Sequence, residues 1–232
     1  MKHIVSFSGG KDSTAMLLRM IELGMQIDEI RYVDMETWEF PKMKFHINQV
    51  EEFIQRPINK IKLRKSPDYY FFKIKTKSGN KGYGFARVTC RWCMNQKKHA
   101  LDKGILKNDF NYIGYSSDEI LRMNRLLPLK RYKTIYPLIK WGWSEKDSLE
   151  YCYLKGFKWG GLYEIFNRVS CWCCPFQGLY ELRNLRKFFP ELWNRLLYMQ
   201  ENTWTTFKMD GLTVYDLEKR FTEEDKQMEL GI

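Results

Sequence analysis

Apolar positions at the start of the chain change from a continuous run to a helical stripe. His3-Ile4-Val5-Ser6-Phe7 is short, apolar and partly β-branched, the pattern of a strand buried on both faces. Ser8-Gly9-Gly10 interrupts it. Ala15, Met16, Leu18, Met20 and Ile21 then recur at helical spacing, with Asp12 or Ser13 available as cap and Gly24 as stop. Residues 29–33 read as a second strand ending at Asp34, 45–54 as the next helix and 58–63 as a third strand. Successive βα units with short connections predict an α/β fold, a Rossmann-like parallel sheet covered by helices.

Further along, the basic, glycine-containing stretch 73–81 reads as a solvated hairpin or loop, and 111–114 as another strand end. Helical patterns then dominate, over 145–155, 179–188 and 190–199, with Pro190 at a helix start. Residues 223–231 read as a charged helix end or loose tail.

The 232 residues are 44% hydrophobic, enough for a buried core, which excludes disorder and low-complexity architecture. No apolar run approaches the roughly 18 residues that span a bilayer. The opening residues are too short in apolar character for a secretory signal, so a cytoplasmic protein without a membrane partner is expected. The net charge of +11, with 16% aromatic residues, favours a polyanionic partner: a nucleotide, or a nucleic acid such as tRNA or DNA.

The turn Ser8-Gly9-Gly10-Lys11-Asp12-Ser13 carries the most specific chemistry. Two glycines let backbone approach a ligand, and N–H groups at a helix start attract phosphate. Lys11 adds a cation, and the Ser8 and Ser13 hydroxyls add donors. The pattern G-x-x-x-x-G-K-S/T fails, because Val5 stands at its first glycine and Asp12 follows the lysine.

Six cysteines include Cys90-Arg91-Trp92-Cys93 and Cys171-Trp172-Cys173-Cys174. In a reducing compartment such pairs point to metal or redox chemistry before disulfides. Cys90, Cys93, Cys171 and Cys174 could supply four thiolates, a count suiting tetrahedral Zn²⁺ or a 4Fe-4S cluster. Cys173 is a substitute ligand or a separate thiol, and Cys152 reads as core.

The loop resembles the PP-loop of the ATP-pyrophosphatase and sulfonucleotide-reductase superfamily, and the chain as a whole resembles the phosphoadenosine phosphosulfate (PAPS) reductase family within it. Tyr32-Val33-Asp34 with Phe40-Pro41 is similar to the family's second strand and its D-T-G-x-x-F-P region. Gly114 through Asp118-Glu119 to Arg122 resembles G-x-R-x-x-E-S-x-x-R, and Tyr136-Pro137-Leu138 through Tyr151 resembles the P-L-x-x-W helix entry. Leu162-Tyr163 through Arg168 to Cys171 and Cys174-Pro175 resembles L-Y-x-x-G-x-x-R-x-G-C-x-x-C-P.

The resemblance implies an adenine nucleotide alpha hydrolase-like sheet holding ATP, PAPS or adenosine phosphosulfate (APS), with Mg²⁺ accompanying ATP. It implies a nucleotide site drawn from Ser6, Ser8, Gly9, Gly10, Lys11, Asp12, Ser13, Asp34, Gly114 and Arg122, with Lys11, Asp12 and Ser13 in catalysis. Two well-separated Cys pairs imply a 4Fe-4S cluster ahead of zinc. It also implies a domain over residues 1–176, with 177–232 as a helical C-terminal extension packed on it.

Departures bear on function. Met35-Glu36 replaces the family's T-G, Ser116 stands where an Arg is usual, and no Cys follows Cys174 where the reductases carry a tail thiol. The expected activity is therefore ATP cleavage between the α and β phosphates for adenylylation or sulfur transfer, with a sulfur or electron donor protein as partner. Two alternatives remain: a sulfonucleotide reductase using another thiol, and a non-catalytic, zinc-stabilised nucleic-acid-binding module.

Other residues carry two readings each. Asp34 is a ligand contact, Mg²⁺ included, or a helix cap, and Asp12 divides the same way. Arg122 and Arg125 are phosphate clamps or solvated charges. His3, His46 and His99 lack metal-like spacing. Lys60, Lys62, Arg64 and Lys65 with Tyr69 and Tyr70, then Lys73, Lys75 and Lys77, suit RNA or single-stranded DNA, or protect an edge strand.

Overall fold

A computed structural model describes residues 1–121, 124, 132–169 and 171–229. The strands are β1 (His3–Ser6), β2 (Glu29–Asp34), β3 (Asn59–Lys62), β4 (Phe110–Ile113) and β5 (Lys133–Ile135). They form one five-stranded sheet in the order β3-β2-β1-β4-β5, every pairing parallel. Val5 lies opposite Ile30 on one side and Tyr112 on the other, so β1 is central and apolar on both faces. The strand order reverses at β1, with β2 and β4 on its two flanks. The C-terminal ends of β1 and β4 therefore border the crevice where open α/β sheets take ligands.

The chain divides into two compact units, each made of two segments. The first, residues 1–63 and 96–163, holds the sheet with α1 (Lys11–Glu22), α2 (Pro41–Ile54), α5 (Pro137–Trp141) and α6 (Glu145–Leu154). Helix α1 buries Ala15, Met16, Leu17, Leu18 and Met20, the stripe its sequence displays. Helix α2 starts at Pro41, four residues earlier than its apolar pattern suggests, because proline at the first helical position needs no N–H partner. Strand β5 has only three residues, too few to display a period.

Between α1 and α2 lies a polar contact inside the core. Thr14 Oγ1 and His46 Nε2 are 3.1 Å apart, and the imidazole stacks on Trp159 with ring centroids 4.4 Å apart. Burial pulls the His46 pKa down from 6.5 to about 3. The unfolded chain thus binds a proton here between pH 6.5 and 3 that the folded chain refuses. The stability His46 contributes is complete above pH 6.5 and drains away as pH falls towards 3. By pH 4.5 the loss should be about 2–3 kcal/mol. Urea titrations at pH 7 and pH 4.5 should show it, with a smaller difference in His46→Gln.

The second unit, residues 64–95 and 164–232, contains α3 (Pro67–Phe72), α8 (Leu179–Phe188), α9 (Pro190–Glu201) and α10 (Val214–Glu229). Helix α4 (Trp92–Asp102) crosses the junction at residue 95, and the short α7 (Leu162–Ile165) the one at 163. Residue 176, the expected boundary, falls inside this unit. The segment between α9 and α10 shares a core with residues 64–95: Phe85 meets Phe71 and Phe207 edge-on at 5.0 and 4.9 Å, and its N–H donates to Thr205 Oγ1. Residues 223–229 belong to α10, tied to α8 through Arg183–Glu224 and Arg186–Asp225. Residues 73–81 form a hairpin turn with a single bridge between Lys75 and Lys81.

Candidate functional site

The loop between β1 and α1 is built from its backbone outward. Gly10 is the N-cap of α1 in an extended conformation, and no side chain caps it, so the first-turn N–H groups have neither an i−4 partner nor a capping side chain at the N-cap. One of them, Lys11 N–H, donates to Tyr163 Oη at 2.9 Å. Gly9 has φ +76, and a Cβ there would sit 2.6 Å from Ile47 Cδ1, so only glycine suits the position. Its carbonyl accepts from Trp159 Nε1 at 2.7 Å. Ser8 Oγ and Ser13 Oγ are 2.9 Å apart, and Ser13 Oγ donates to the Gly10 carbonyl at 3.0 Å, closing the loop on itself.

Gly114, just past β4, explains how the loop is positioned from the other side of the crevice. A Cβ on it would lie 2.8 Å from Ser13 Cα and 2.9 Å from Ser13 N. The backbone after β4 therefore touches the first turn of α1, at the reversal of strand order.

Lys11 is 7% exposed, and its Nζ contacts Asp12 Oδ2 at 2.9 Å and Glu145 Oε2 at 2.6 Å. Burial alone would push the ammonium pKa down, but hydrogen bonds to Glu145 and Asp12 with their charges outweigh it and raise it. Lys11 therefore stays charged. At Asp12 the balance falls the other way: burial raises the carboxyl above its ordinary value despite the neighbouring Lys11. To reach a phosphate, Lys11 Nζ would exchange one of these carboxylate contacts for the phosphate oxygen.

The other sequence candidates fall around this centre unevenly. Asp34 stands at the C-terminal end of β2, where its Oδ1 accepts from the Glu36 N–H at 2.7 Å in a local turn. Ser6 Oγ donates to Asn111 Oδ1 at 2.8 Å, bracing β1 against β4. Ser116 is fully buried. Arg122 and Arg125 lie outside the described residues.

Three residues near the loop escaped the sequence reading: Glu145, Trp159 and Tyr163. Tyr163 sits in the Leu162-Tyr163 pair that matched a family motif, so that match carried the signal. Glu145 follows Ser144, the cap of α6, and reads locally as a helix-start carboxylate. Trp159 has φ +49 and precedes two more left-handed residues, Gly160 and Gly161. Such backbone costs about 1–3 kcal/mol at a non-glycine residue, offset here by the bond to Gly9 and the stack on His46.

All the clustered cysteines lie in the second unit, and none of the six is in a disulfide. The Arg91 guanidinium lies over the Phe176 ring at 5.1 Å, which brings the segment bearing Cys90 and Cys93 to the one bearing Cys171, Cys173 and Cys174. Burial pushes the Cys173 thiol well up, and the charges of Cys171, Cys174 and Cys93 push it further. Cys90 is exposed, and Cys152 is buried in the first unit. Thiols from two segments suit a soft metal by donor chemistry. Among the described residues, however, no group of three or more His, Cys, Asp or Glu side chains is arranged to hold an ion. No described helix is long and apolar enough to cross a membrane.

Comparison with known proteins places the chain more broadly. An uncharacterized protein of Methanocaldococcus jannaschii is 25% identical over 205 residues, covering 83% of this chain. The match spans only 40% of that relative's length. Among solved structures, the U34-tRNA thiolase NcsA from Methanococcus maripaludis, with its 4Fe-4S cluster, aligns with TM-score 0.46 and 16% identity. That alignment covers 96% of this chain and 72% of the other. The phosphoadenosine phosphosulfate reductase domain model matches residues 2–177, from the first strand through the second cysteine cluster. With three quarters of its length in that match, the chain belongs to the phosphoadenosine phosphosulfate reductase domain family.

Proposed function

We propose that the chain binds ATP at the Ser8–Ser13 loop and cleaves it between the α and β phosphates to activate an acceptor by adenylylation or for sulfur transfer. An acceptor oxygen attacks the α-phosphorus, and the bond from that phosphorus to the bridging oxygen breaks. Pyrophosphate leaves with the electron pair, and the acceptor's proton passes to solvent. First-turn N–H groups of α1 and Lys11 Nζ stabilise the charge that builds on the leaving group. Glu145 and Asp12 hold Lys11 in place beforehand. Mg²⁺ accompanying ATP would offset part of the phosphate charge.

The observation that carries this reading is the uncapped start of α1 with a buried, charged lysine beside it. Reduction of a sulfonucleotide through Cys173 is less well supported, because that thiol is only 2% exposed. Calorimetry with ATP, APS and PAPS, each with Mg²⁺, is the direct test, followed by assays for pyrophosphate and sulfite. ATP binding with pyrophosphate release is expected. Sulfite from PAPS in the presence of a dithiol, or no adenylate binding at all, would overturn the reading.

The proposal extends to the cysteines of the second unit, read as ligands for a 4Fe-4S cluster ahead of zinc. Protein purified without oxygen should be brown and contain iron, and Cys93→Ser should lose both colour and iron. A colourless, zinc-bearing preparation would assign zinc instead.

A further inference from the structure

The second unit carries an open groove of about 670 Å³, lined in part by Phe72, Lys73, Lys81, Tyr198, Glu201 and Trp204. We propose that it binds an unpaired nucleotide of a single-stranded nucleic acid, with the base stacked on Trp204 or Tyr198 and flanking phosphates on Lys73 and Lys81. The inference is independent of what happens at the phosphate loop.

Three observations support it. The first is exposed aromatic surface. Trp204 is 56% and Tyr198 57% exposed, and Phe72 lies beside Tyr198 with ring centroids 6.0 Å apart. Grouped around one concavity, these rings offer a stacking surface, and stacking on such rings is the sequence-tolerant way to hold a base.

The second is charge. Lys73, Lys75, Lys77 and Lys81 are all exposed on the hairpin beside the groove. Glu201 is the one carboxylate among the lining residues. It would repel phosphate yet can accept from the amino group of a base. Lysines for phosphates, rings for bases and one acceptor for a base edge suit a single strand better than an acidic peptide, which needs no stacking platform.

The third is that the groove is built rather than incidental. Trp204 Nε1 donates to the Gly82 carbonyl at 3.0 Å, fixing an indole that stays more than half exposed. Gly82 has φ +76, and a Cβ there would fall 1.9 Å from the Phe71 carbonyl oxygen, so the hairpin can seat against α3 only with glycine at that point. Gly84 N–H donates to the same carbonyl at 3.1 Å. The lysines thus sit on a hairpin keyed to the aromatic wall. The volume is ample for a nucleotide within the ordinary range of ligand pockets.

Fluorescence anisotropy with labelled strands of about 12 nucleotides, a length suited to single-strand binders, tests the proposal on the full chain. The probes are single-stranded RNA, DNA of the same sequence and the RNA duplex. Single strands should bind more tightly than the duplex, and the RNA and DNA arms report whether the 2′-hydroxyl matters. Trp204→Ala should weaken single-strand binding about tenfold or more. Trp204→Phe loses the bond to Gly82 but keeps a ring, and should retain most affinity, which separates stacking from support of the fold.

Lys73→Gln with Lys81→Gln should lower the salt slope by about 1.4, from two phosphates at about 0.7 each. ATP calorimetry on the same variants should be unchanged, so failure here is distinguishable from failure at the phosphate loop. Single-strand binding unaffected by these changes, duplex preference, or binding of a polyglutamate peptide but not single strands would overturn the assignment.

Discussion

Gly114→Ala is expected to lower ATP affinity by about tenfold to a hundredfold while leaving the protein folded. The new Cβ would lie 2.8–3.0 Å from Ser13 Cα, Ser13 N and Asp12 C, all backbone atoms that cannot rotate away. Either the segment after β4 or the first turn of α1 must move, and overpacking of this kind costs about 1–3 kcal/mol. With phosphate bound at that turn, as proposed, most of the displacement would fall on ligand geometry. Gly24→Ala is the matched control. Gly24 has φ +64 with nothing within 4 Å, so its replacement costs about 1 kcal/mol through backbone alone and should leave ATP affinity intact. Calorimetry on both variants, with urea titration for stability, measures the contrast. Ordinary ATP binding with alanine at position 114 would mean that phosphate does not lodge at this turn.

Lys11→Met should have a larger effect on activity, a loss of pyrophosphate release of at least about a hundredfold. A charge-assisted contact to phosphate is worth about 1.5–3 kcal/mol, and more as charge develops in the transition state. Stability should fall too, because Asp12 and Glu145 would face each other without the ammonium between them. Solvent reaches Glu145, so that loss should be only about 1 kcal/mol. Adding Glu145→Gln to Lys11→Met should restore much of the stability and none of the activity. Recovery of both together would make Lys11 a structural cation and move the catalytic charge elsewhere. The double-variant cycle reads the Lys11–Glu145 coupling directly.

These predictions rest on residues whose visibility in the sequence differed sharply. The turn at Gly9 and Gly10 was legible because a strand, a glycine pair and an amphipathic helix follow one another within about twenty residues. Helix α8 was legible to its ends, since its stripe and the proline beyond it are local signals. Helix α4 was not: it buries only Trp92 and so shows no stripe. Helix α3, at six residues, is shorter than two helical turns. The basic stretch 73–81 was read as a hairpin or loop, but its aromatic neighbours Tyr198 and Trp204 are more than a hundred residues away.

What the sequence determined by itself is the character of short neighbourhoods: the parallel βα start, the glycine turn between strand and helix, and the paired cysteines. Local periodicity and glycine placement act over a few residues and need no partner from elsewhere. Only the tertiary structure decided that Trp159 and Tyr163 hold the loop, that Glu145 meets Lys11, and that Gly114 touches Ser13. Each of those contacts joins segments at least a hundred residues apart. Their free energy comes from packing and hydrogen bonds that exist only once the chain has closed, so no window of sequence displays them.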